Sequence, residues 1–346
     1  MGRRRTAQAA KSAASTAKGR PLLTPLRRPP IASAECGIVL LSHGLNRDIM
    51  GELAEEGPLT RPALAARLHA SSTKIHECLT KLREAGVVTV CSRGKANEYG
   101  ITRSGRRLHA TTAIITRWFR AHPGRALTPS VGWRAFADLG ESWRMVFVEW
   151  IVRCAPTAED VAAGFDVYNE HQLAETLDAM REAGMVMMRK GRNGRARYRL
   201  TPWAARAVGI LAAIARWEQE FGPPGSAAIE VDDAIVAILA TLPLVRLDEE
   251  VAGVCTFAAE AEKDQQLERR LGSVWARVRR GRVVDLGEGA PPAEAVGWAG
   301  GPFSAWLAAA LDGRAALRCD GRTPAGIELV SGVVAQVHAQ LVPNAD

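Results

Sequence analysis

The sequence predicts a mainly α-helical fold with small β hairpins, in which one unit occurs twice in tandem and an α+β domain follows. Three observations lead to this prediction. The middle of the chain repeats itself after about 98 residues, and the last third does not continue the repeat. Each copy also has the apolar spacing of short helices, followed by a two-stranded hairpin. The chain of 346 residues is long enough for two or three domains.

The repeat consists of matched segments in two parts of the chain. Leu82 to Val88 corresponds to Met180 to Val186 and, after one further residue of offset, Arg117-Trp118 corresponds to Arg216-Trp217. Such self-similarity indicates a duplicated structural unit. The predicted divisions of the chain are a basic arm at 1–34, a first unit at 35–124, a second unit at 125–225 and an α+β domain at 226–346.

Each copy shows the same order of local signals. In the first copy, apolar residues at helical spacing predict two short helices that meet at a tight turn, with Ser71 as the N-cap of the second helix. Gly86 ends that helix, and a hairpin with its turn at 92–96 follows. In the second copy, a first short helix is predicted near 158–164, Asn169 is the predicted N-cap of the second helix and the hairpin turn lies at 190–195. A longer helix closes each copy, at about 103–121 in the first and about 202–221 in the second.

Two helices, a tight turn and a basic hairpin make a winged helix-turn-helix. The predicted fold class is therefore mainly α with small β wings, as two tandem winged helix-turn-helix domains followed by an α+β domain. This architecture suits double-stranded DNA, because the second helix fits the major groove while a cationic loop reaches phosphates or the minor groove.

The outward side of the second helix in copy one carries hydrogen-bonding and cationic side chains of the kind that contact base edges and phosphates. A solvated helix face without a partner is the alternative interpretation. Together with two cations of the following hairpin, the predicted DNA contacts of this copy are Ser72, Thr73, Lys74, His76, Thr80, Lys81, Arg93 and Lys95.

The second copy has a different charge pattern. Its corresponding helix carries four acids against one cation, which repels phosphate, whereas its hairpin has five cations within nine residues and no acid. The hairpin should add affinity and salt dependence but little base preference. We expect copy one to recognise the base sequence of the DNA and copy two to contact mainly the DNA backbone. The predicted contacts of copy two are Asn169, His171, Gln172, Arg189, Lys190, Arg192, Asn193, Arg195 and Arg197.

Charge is unevenly distributed along the chain. The arm at 1–34 has eight cations and no acid, residues 35–124 have 13 cations against 8 acids, and residues 226–346 have 11 against 17. A basic front favours a polyanionic partner. The arm is predicted to be disordered because its composition buries too little apolar surface; the composition also fits an organellar transit peptide.

The sequence shows little sign of other chemistry. Nucleotide-binding and metalloprotease motifs are absent, the six cysteines are singly spaced and the seven histidines show no ligand spacing. We therefore expect no cofactor, no metal site and no enzymatic activity. The longest uncharged apolar run, 234–245, is 12 residues long, too short to cross a membrane. The cysteine pattern favours a reducing, cytoplasmic location.

Residues 35–124 and 136–222 resemble the HxlR-type winged-helix regulators of bacteria. The matching marks are the segment Gly140 to Glu149, the L-x-x-A-G-V-V run and the Tyr-x-Leu/Ile-Thr strand before the last helix. The resemblance implies DNA binding with repression or activation. It also implies a homodimer, although two copies in one chain can instead form the dimer-like unit internally.

The chain departs from that family at several places. Copy one has Asn46 where tryptophan is usual. The positions where the family commonly has basic recognition residues hold Thr73, Cys78, His171 and Thr176. These departures leave the fold unaffected but change the base contacts that the resemblance implies.

Residues 226–346 resemble the sterol-carrier-protein-like module attached to some such regulators. Predicted helices near 232–242, 302–311 and 323–341 accompany strand-like stretches at 251–258, 273–279 and 281–286. The resemblance implies an apolar cavity and a small apolar effector; a dimerisation or packing domain is the alternative. The whole sequence predicts a cytoplasmic, sequence-specific transcriptional regulator with this ligand control. The alternative function is a winged-helix interaction scaffold that binds a basic partner protein.

Overall fold

The computed structural model describes residues 35–93, 96–124, 129–139, 151, 170–190, 196–222, 231–260, 271–313 and 316–341. The predicted basic arm and the predicted first helix of copy two, near 158–164, lie outside these residues. Among the described helices, none is long and apolar enough to cross a membrane.

The first unit combines helices with a small sheet. Its elements are α1 Glu35–Ser42, α2 Gly44–Glu55, β1 Leu59–Thr60, α3 Arg61–Arg67, α4 Ser72–Glu84, β2 Val88–Arg93, β3 Ala96–Ile101 and α5 Arg103–Arg120. The strands form an antiparallel sheet in the order β1-β3-β2. Helices α1 and α2 and strand β1 go beyond the sequence prediction, whereas α3, the tight turn, α4 and the β2–β3 hairpin lie where it placed them.

Side-chain caps fix the start of each helix around the hairpin. Thr60 Oγ1 accepts a hydrogen bond from the Ala63 N–H, Ser71 Oγ from the Lys74 N–H, and Thr102 Oγ1 from the Gly105 N–H. Each cap satisfies one of the N–H groups that a helix start leaves without an intrahelical partner. The helix-turn-helix is therefore encoded by local polar residues as well as by apolar spacing.

The middle of the chain continues with a second hairpin between helices. Its described elements are α6 Pro129–Leu139, α7 Glu170–Glu182, β4 Val186–Lys190, β5 Ala196–Leu200, α8 Pro202–Ala205 and α9 Ala207–Phe221. Strands β4 and β5 pair antiparallel. The single closing helix predicted from Pro202 to Phe221 is wrong in one respect, because the chain forms two helices with a break at Arg206.

Helix α5 packs against α8 and α9 through tryptophans. Trp118 Nε1 donates to the Trp203 carbonyl at 2.8 Å, and Trp203 Nε1 donates to the Trp118 carbonyl at 2.8 Å. Trp217 Nε1 donates to the Ser104 carbonyl at 2.9 Å. In the sequence, Ser104 and Trp203 are 99 positions apart, as are Trp118 and Trp217. The contact of Trp118 with position 203 therefore has a counterpart with the two repeats exchanged.

The C-terminal segment is a five-stranded sheet with helices. Its elements are α10 Val231–Thr241, a 3-10 turn Leu242–Leu244, β6 Gly253–Glu260, β7 Leu271–Arg279, β8 Arg282–Glu288, β9 Ala295–Pro302, α11 Phe303–Asp312, β10 Arg318–Gly321 and α12 Pro324–Leu341. The strand order is β10-β9-β6-β7-β8, with β6 and β9 parallel and the other pairs antiparallel. Strands β9 and β10 are additional to the predicted elements.

A single apolar cluster runs through all parts of the described chain. It contains Leu41 and Leu79 of the first unit, Ile214 of α9, and Phe257 and Val330 of the C-terminal segment, each at most 1% exposed. Because burial of apolar surface is the main stabilising term in folding, the parts of the chain that share this cluster stabilise one another.

Candidate nucleic-acid interface

Helix α4 presents two chemically distinct sides. Ile75, Leu79 and Leu82 are at most 1% exposed and pack into the core. The opposite side is exposed at Ser72, Thr73, Lys74, His76 and Lys81, and Thr80 is half-buried. The six predicted contacts on this helix are thus brought together along one polar side, as the helical spacing requires.

Thr80 and Cys78 mark the edge of this polar side. Thr80 Oγ1 donates to the His76 carbonyl at 2.9 Å, so its hydroxyl proton is used within the helix. Cys78, where the HxlR resemblance implies a recognition residue, is 5% exposed, and its Sγ lies 3.9 Å from His43 Nδ1. Burial raises the pKa of the Cys78 thiol, which disfavours the reactive thiolate. Cys78 therefore packs on the inner side of α4.

The hairpin of the first unit extends the same domain. Arg93 is the last residue of β2 and pairs in register with Ala96 on β3. The Arg93 side chain and the whole of Lys95 lie outside the described residues. The structure therefore shows where Arg93 lies along the hairpin. The DNA contacts of Arg93 and Lys95 stay predictions.

The helix α7 corresponds in sequence order to α4. His171 and Gln172 lie in its first turn, but their side chains, like the whole of Asn169, lie outside the described residues. Glu175, Asp178 and Glu182 are exposed, and Arg181 is paired with Asp178 at 3.1 Å. An exposed acidic surface next to DNA is repelled by phosphate, so α7 is electrostatically less suited to DNA than α4.

The β4–β5 hairpin gathers three arginines on one face. Arg189 pairs directly with Arg197, and Met187 pairs with Arg199, which places all four residues on the same side of the ladder. Arg189 and Arg199 are exposed and Arg197 is half-buried. Like charges that face each other across a ladder are unfavourable unless an anion binds them. The predicted Arg192, Asn193 and Arg195 lie outside the described residues.

The positions of Lys190 and Arg199 differ from what the sequence analysis predicts for the β4–β5 hairpin. Lys190 is exposed but lies on the opposite face of the ladder from Arg189. Arg199 was missed as a contact residue, because the prediction considered only the turn and its immediate flanks. The period of two along β5 would have found it, since Arg197 and Arg199 necessarily share a face.

Comparison with known families identifies part of the first unit. The family model for winged helix-turn-helix DNA-binding domains matches residues 44–89, which begin at α2, include α3 and α4 and end in β2. The comparison with curated proteins gives no match. Residues 44–89 thus form a winged helix-turn-helix DNA-binding domain, which confirms the predicted fold for this part of the chain and indicates a DNA-binding regulator.

Proposed function

We propose that the protein is a sequence-specific transcriptional regulator that grips DNA with two unequal winged-helix units of the HxlR type. In this proposal, α4 lies in the major groove, and the β4–β5 hairpin holds the backbone or the minor groove. The observation that carries the proposal is the polar side of α4 within the matched domain, where the exposed Thr73, Lys74 and His76 stand clear of the apolar core. Bacterial cytoplasm, where chromosomal DNA lies, is the expected location.

The reciprocal tryptophan contacts support an internal dimer. A two-fold interface repeats each contact with the roles of the partners exchanged. The hydrogen bond from Trp118 to Trp203 and that from Trp217 to Ser104 have this relationship. One chain would then supply what two identical subunits supply in a homodimer. For such a unit we expect α4 and α7 to lie about 34 Å apart, one turn of the duplex.

Charge supports different roles for the two units. The three arginines on one face of β4–β5 provide cations without the donor and acceptor variety that base reading needs. The acids of α7 weaken its approach to DNA, whereas the polar side of α4 includes hydroxyls, cations and an imidazole. The operator is therefore expected to have two unequal half-sites, and the protein is expected to act through binding with no catalytic step.

A mobility-shift series with the full chain tests the proposal. The promoter of its own gene and a random duplex of equal length are compared at rising salt. We expect a preference for the promoter, and the variant Thr73→Ala/Lys74→Ala/His76→Ala should lose that preference while keeping binding to random DNA. Arg279→Ala/Arg282→Ala, on the exposed ends of β7 and β8, is the matched control and should behave as wild type.

Two results would contradict the proposal. Absence of any shift at low salt would remove DNA as the partner and favour the alternative of a scaffold that binds a basic protein. A shift that is equal for promoter and random DNA, and unchanged in the α4 variant, would leave a non-specific DNA-binding protein. In the second case α4 would have no reading role.

A further inference from the structure

An apolar pocket lies between α9 and the C-terminal segment. Its lining comes from α9, α10, α11 and α12 and includes Phe257 of β6. The cavity volume is about 60 Å³, several times what one water needs. A buried water needs hydrogen-bond partners, which an apolar wall does not supply. A pocket of this size and lining is therefore suited to an apolar molecule.

The wall offers no spare side-chain donor among the described residues that line it. Thr241 Oγ1 donates to the Ala237 carbonyl at 2.8 Å, and Trp306 Nε1 donates to the Ala258 carbonyl at 3.1 Å. The remaining lining side chains are aliphatic or phenyl groups. A charged or strongly polar ligand would lose its hydration here without compensation, so the pocket selects neutral and apolar molecules.

Helix α9 is a wall of this pocket and also part of the contact between the repeats. Leu211, Ala212 and Ala215 face the pocket. On other sides of the same helix, Trp217 donates to Ser104 of α5, and the 5%-exposed Glu218 accepts a hydrogen bond from the Gly37 N–H at 2.7 Å. A shift of α9 therefore reaches the first unit directly, because close-packed interiors transmit displacements.

Polar contacts tie α9 to the C-terminal helices on both sides of the pocket. Arg216 Nη1 lies 2.9 Å from both carboxylate oxygens of Asp312, at the end of α11. Arg206, just before α9, donates to Gln340 Oε1 of α12 at 3.2 Å. The pocket lies along the stretch of α9 between these ties, where the wall consists of small and aliphatic side chains. A molecule bound in the pocket would therefore contact the middle of α9.

We propose that this pocket binds a neutral, apolar small molecule and that its occupancy changes DNA affinity through α9. The regulatory half of this inference rests on the proposed function; the binding half does not. A ligand shifts the equilibrium between two conformations of a protein only to the extent that it binds one conformation more tightly than the other. Because α9 carries both the pocket wall and the Trp217 contact to Ser104, the two states differ in the placement of α9 against α5.

The binding half is tested on the full chain with N-phenyl-1-naphthylamine, a neutral apolar dye that fluoresces in apolar surroundings. Ala212→Leu and Ala310→Leu fill the pocket from two different helices, and Ala213→Leu and Ala308→Leu place the same extra atoms on the same helices off the pocket. We expect saturable binding by wild type and by both controls. Each filling variant should weaken binding at least about tenfold.

A thermal unfolding curve for every variant separates pocket filling from misfolding. A filling variant that melts cooperatively near the wild-type temperature and yet binds the dye normally overturns the site. Absence of saturable binding by wild type also overturns it. Two filling variants on different helices keep the test decisive if one of them unfolds.

The regulatory half is tested by DNA binding with and without saturating dye. We expect DNA affinity to change by about fivefold or more in wild type and in Ala213→Leu, and by less than twofold in Ala212→Leu, in line with usual allosteric coupling. Dye binding with unchanged DNA affinity overturns the coupling and leaves the proposed regulator intact. Failure of the dye-free protein to bind DNA overturns the proposed function instead, while the fluorescence titration still decides the site.

Discussion

Trp118 and Trp203 stack with their ring centroids 4.2 Å apart and their planes 2° from parallel, and each indole N–H donates to the other's carbonyl. Trp203 is 1% exposed and Trp118 is 4% exposed. Buried tryptophans contribute a large apolar area and need a partner for the indole N–H. This pair meets both requirements at once, and it connects the end of α5 to the start of α8.

Removing Trp203 should destabilise the whole described core. Trp203→Ala leaves a cavity and removes the indole N–H that donates to the Trp118 carbonyl, and we expect the free energy of unfolding to fall by about 3–5 kcal/mol. Urea denaturation followed by circular dichroism measures the change. Trp298→Ala, a half-buried tryptophan on β9, is the comparison and should cost less. Equal losses for the two variants would show that the stacked pair has no special role.

Glu218 and Glu220 provide a matched pair on α9. Glu218 is buried and accepts the hydrogen bond of the Gly37 N–H, whereas the Glu220 side chain is 36% exposed and pairs with Arg103 at 3.2 Å. Glu218→Ala should lower the free energy of unfolding by about 1–3 kcal/mol because a buried donor loses its acceptor. Glu220→Ala should cost at most about 1 kcal/mol. Chemical denaturation of both variants at one pH makes the comparison, and a reversed order would refute it.

The arginine face of the second hairpin should govern the salt dependence of DNA binding. In Arg189→Ala/Arg197→Ala/Arg199→Ala, we expect the slope of log affinity against log salt to shrink by about 0.9 for each phosphate that is no longer neutralised. Affinity for promoter and random DNA should fall together, because these arginines read no bases. Fluorescence anisotropy over a salt series gives the slope. An unchanged slope would place the hairpin away from DNA, and Arg279→Ala/Arg280→Ala/Arg282→Ala supplies the control for charge alone.

His109 should make stability depend on pH. Its Nδ1 is buried without a hydrogen-bond partner, and burial lowers the pKa of His109, opposed by the charge of Glu55. The unfolded chain takes up a proton near pH 6.5 that the folded state resists, so stability is fully present above that pH and is lost as pH falls below it. Unfolding at about pH 7.5 and about pH 5.5 should show a loss in wild type that is smaller in His109→Met. Ala110→Leu, an exposed change on the same helix, should keep the wild-type loss.

The helix-turn-helix was accessible from sequence because its signals are local. Ser71 as the N-cap of α4, Gly86 at φ 68° after it and the apolar stripe of α4 are each read within a few residues. The same holds for the charge of the β4–β5 hairpin. The period of two along β5 places Arg199 on the same face as Arg197, whereas the pairing register of the strands was needed to add Arg189 to that face.

Strand β9 shows why other elements were missed. It contains Gly297, Gly300 and Gly301, and glycine is depleted in strands, so the local pattern argued against it. Glycine at position 297 is required by the tertiary structure, because a Cβ there would lie 2.3 Å from the Gly326 carbonyl, where α12 crosses the sheet. The pairing of β9 with β6 is parallel and joins residues more than forty positions apart, which no short window of sequence contains.

By itself, the sequence determined the helix-turn-helix, the hairpin and the closing helix of the first unit, the polar side of α4 and the distribution of charge, because caps, helical periodicity and charge are properties of neighbouring residues. The tertiary structure alone decided that Trp118 meets Trp203, that Cys78 faces inward and that α9 separates an apolar pocket from the contact with α5. These relationships depend on how apolar surfaces of distant segments fit together, and that fit is set by three-dimensional packing of the whole chain.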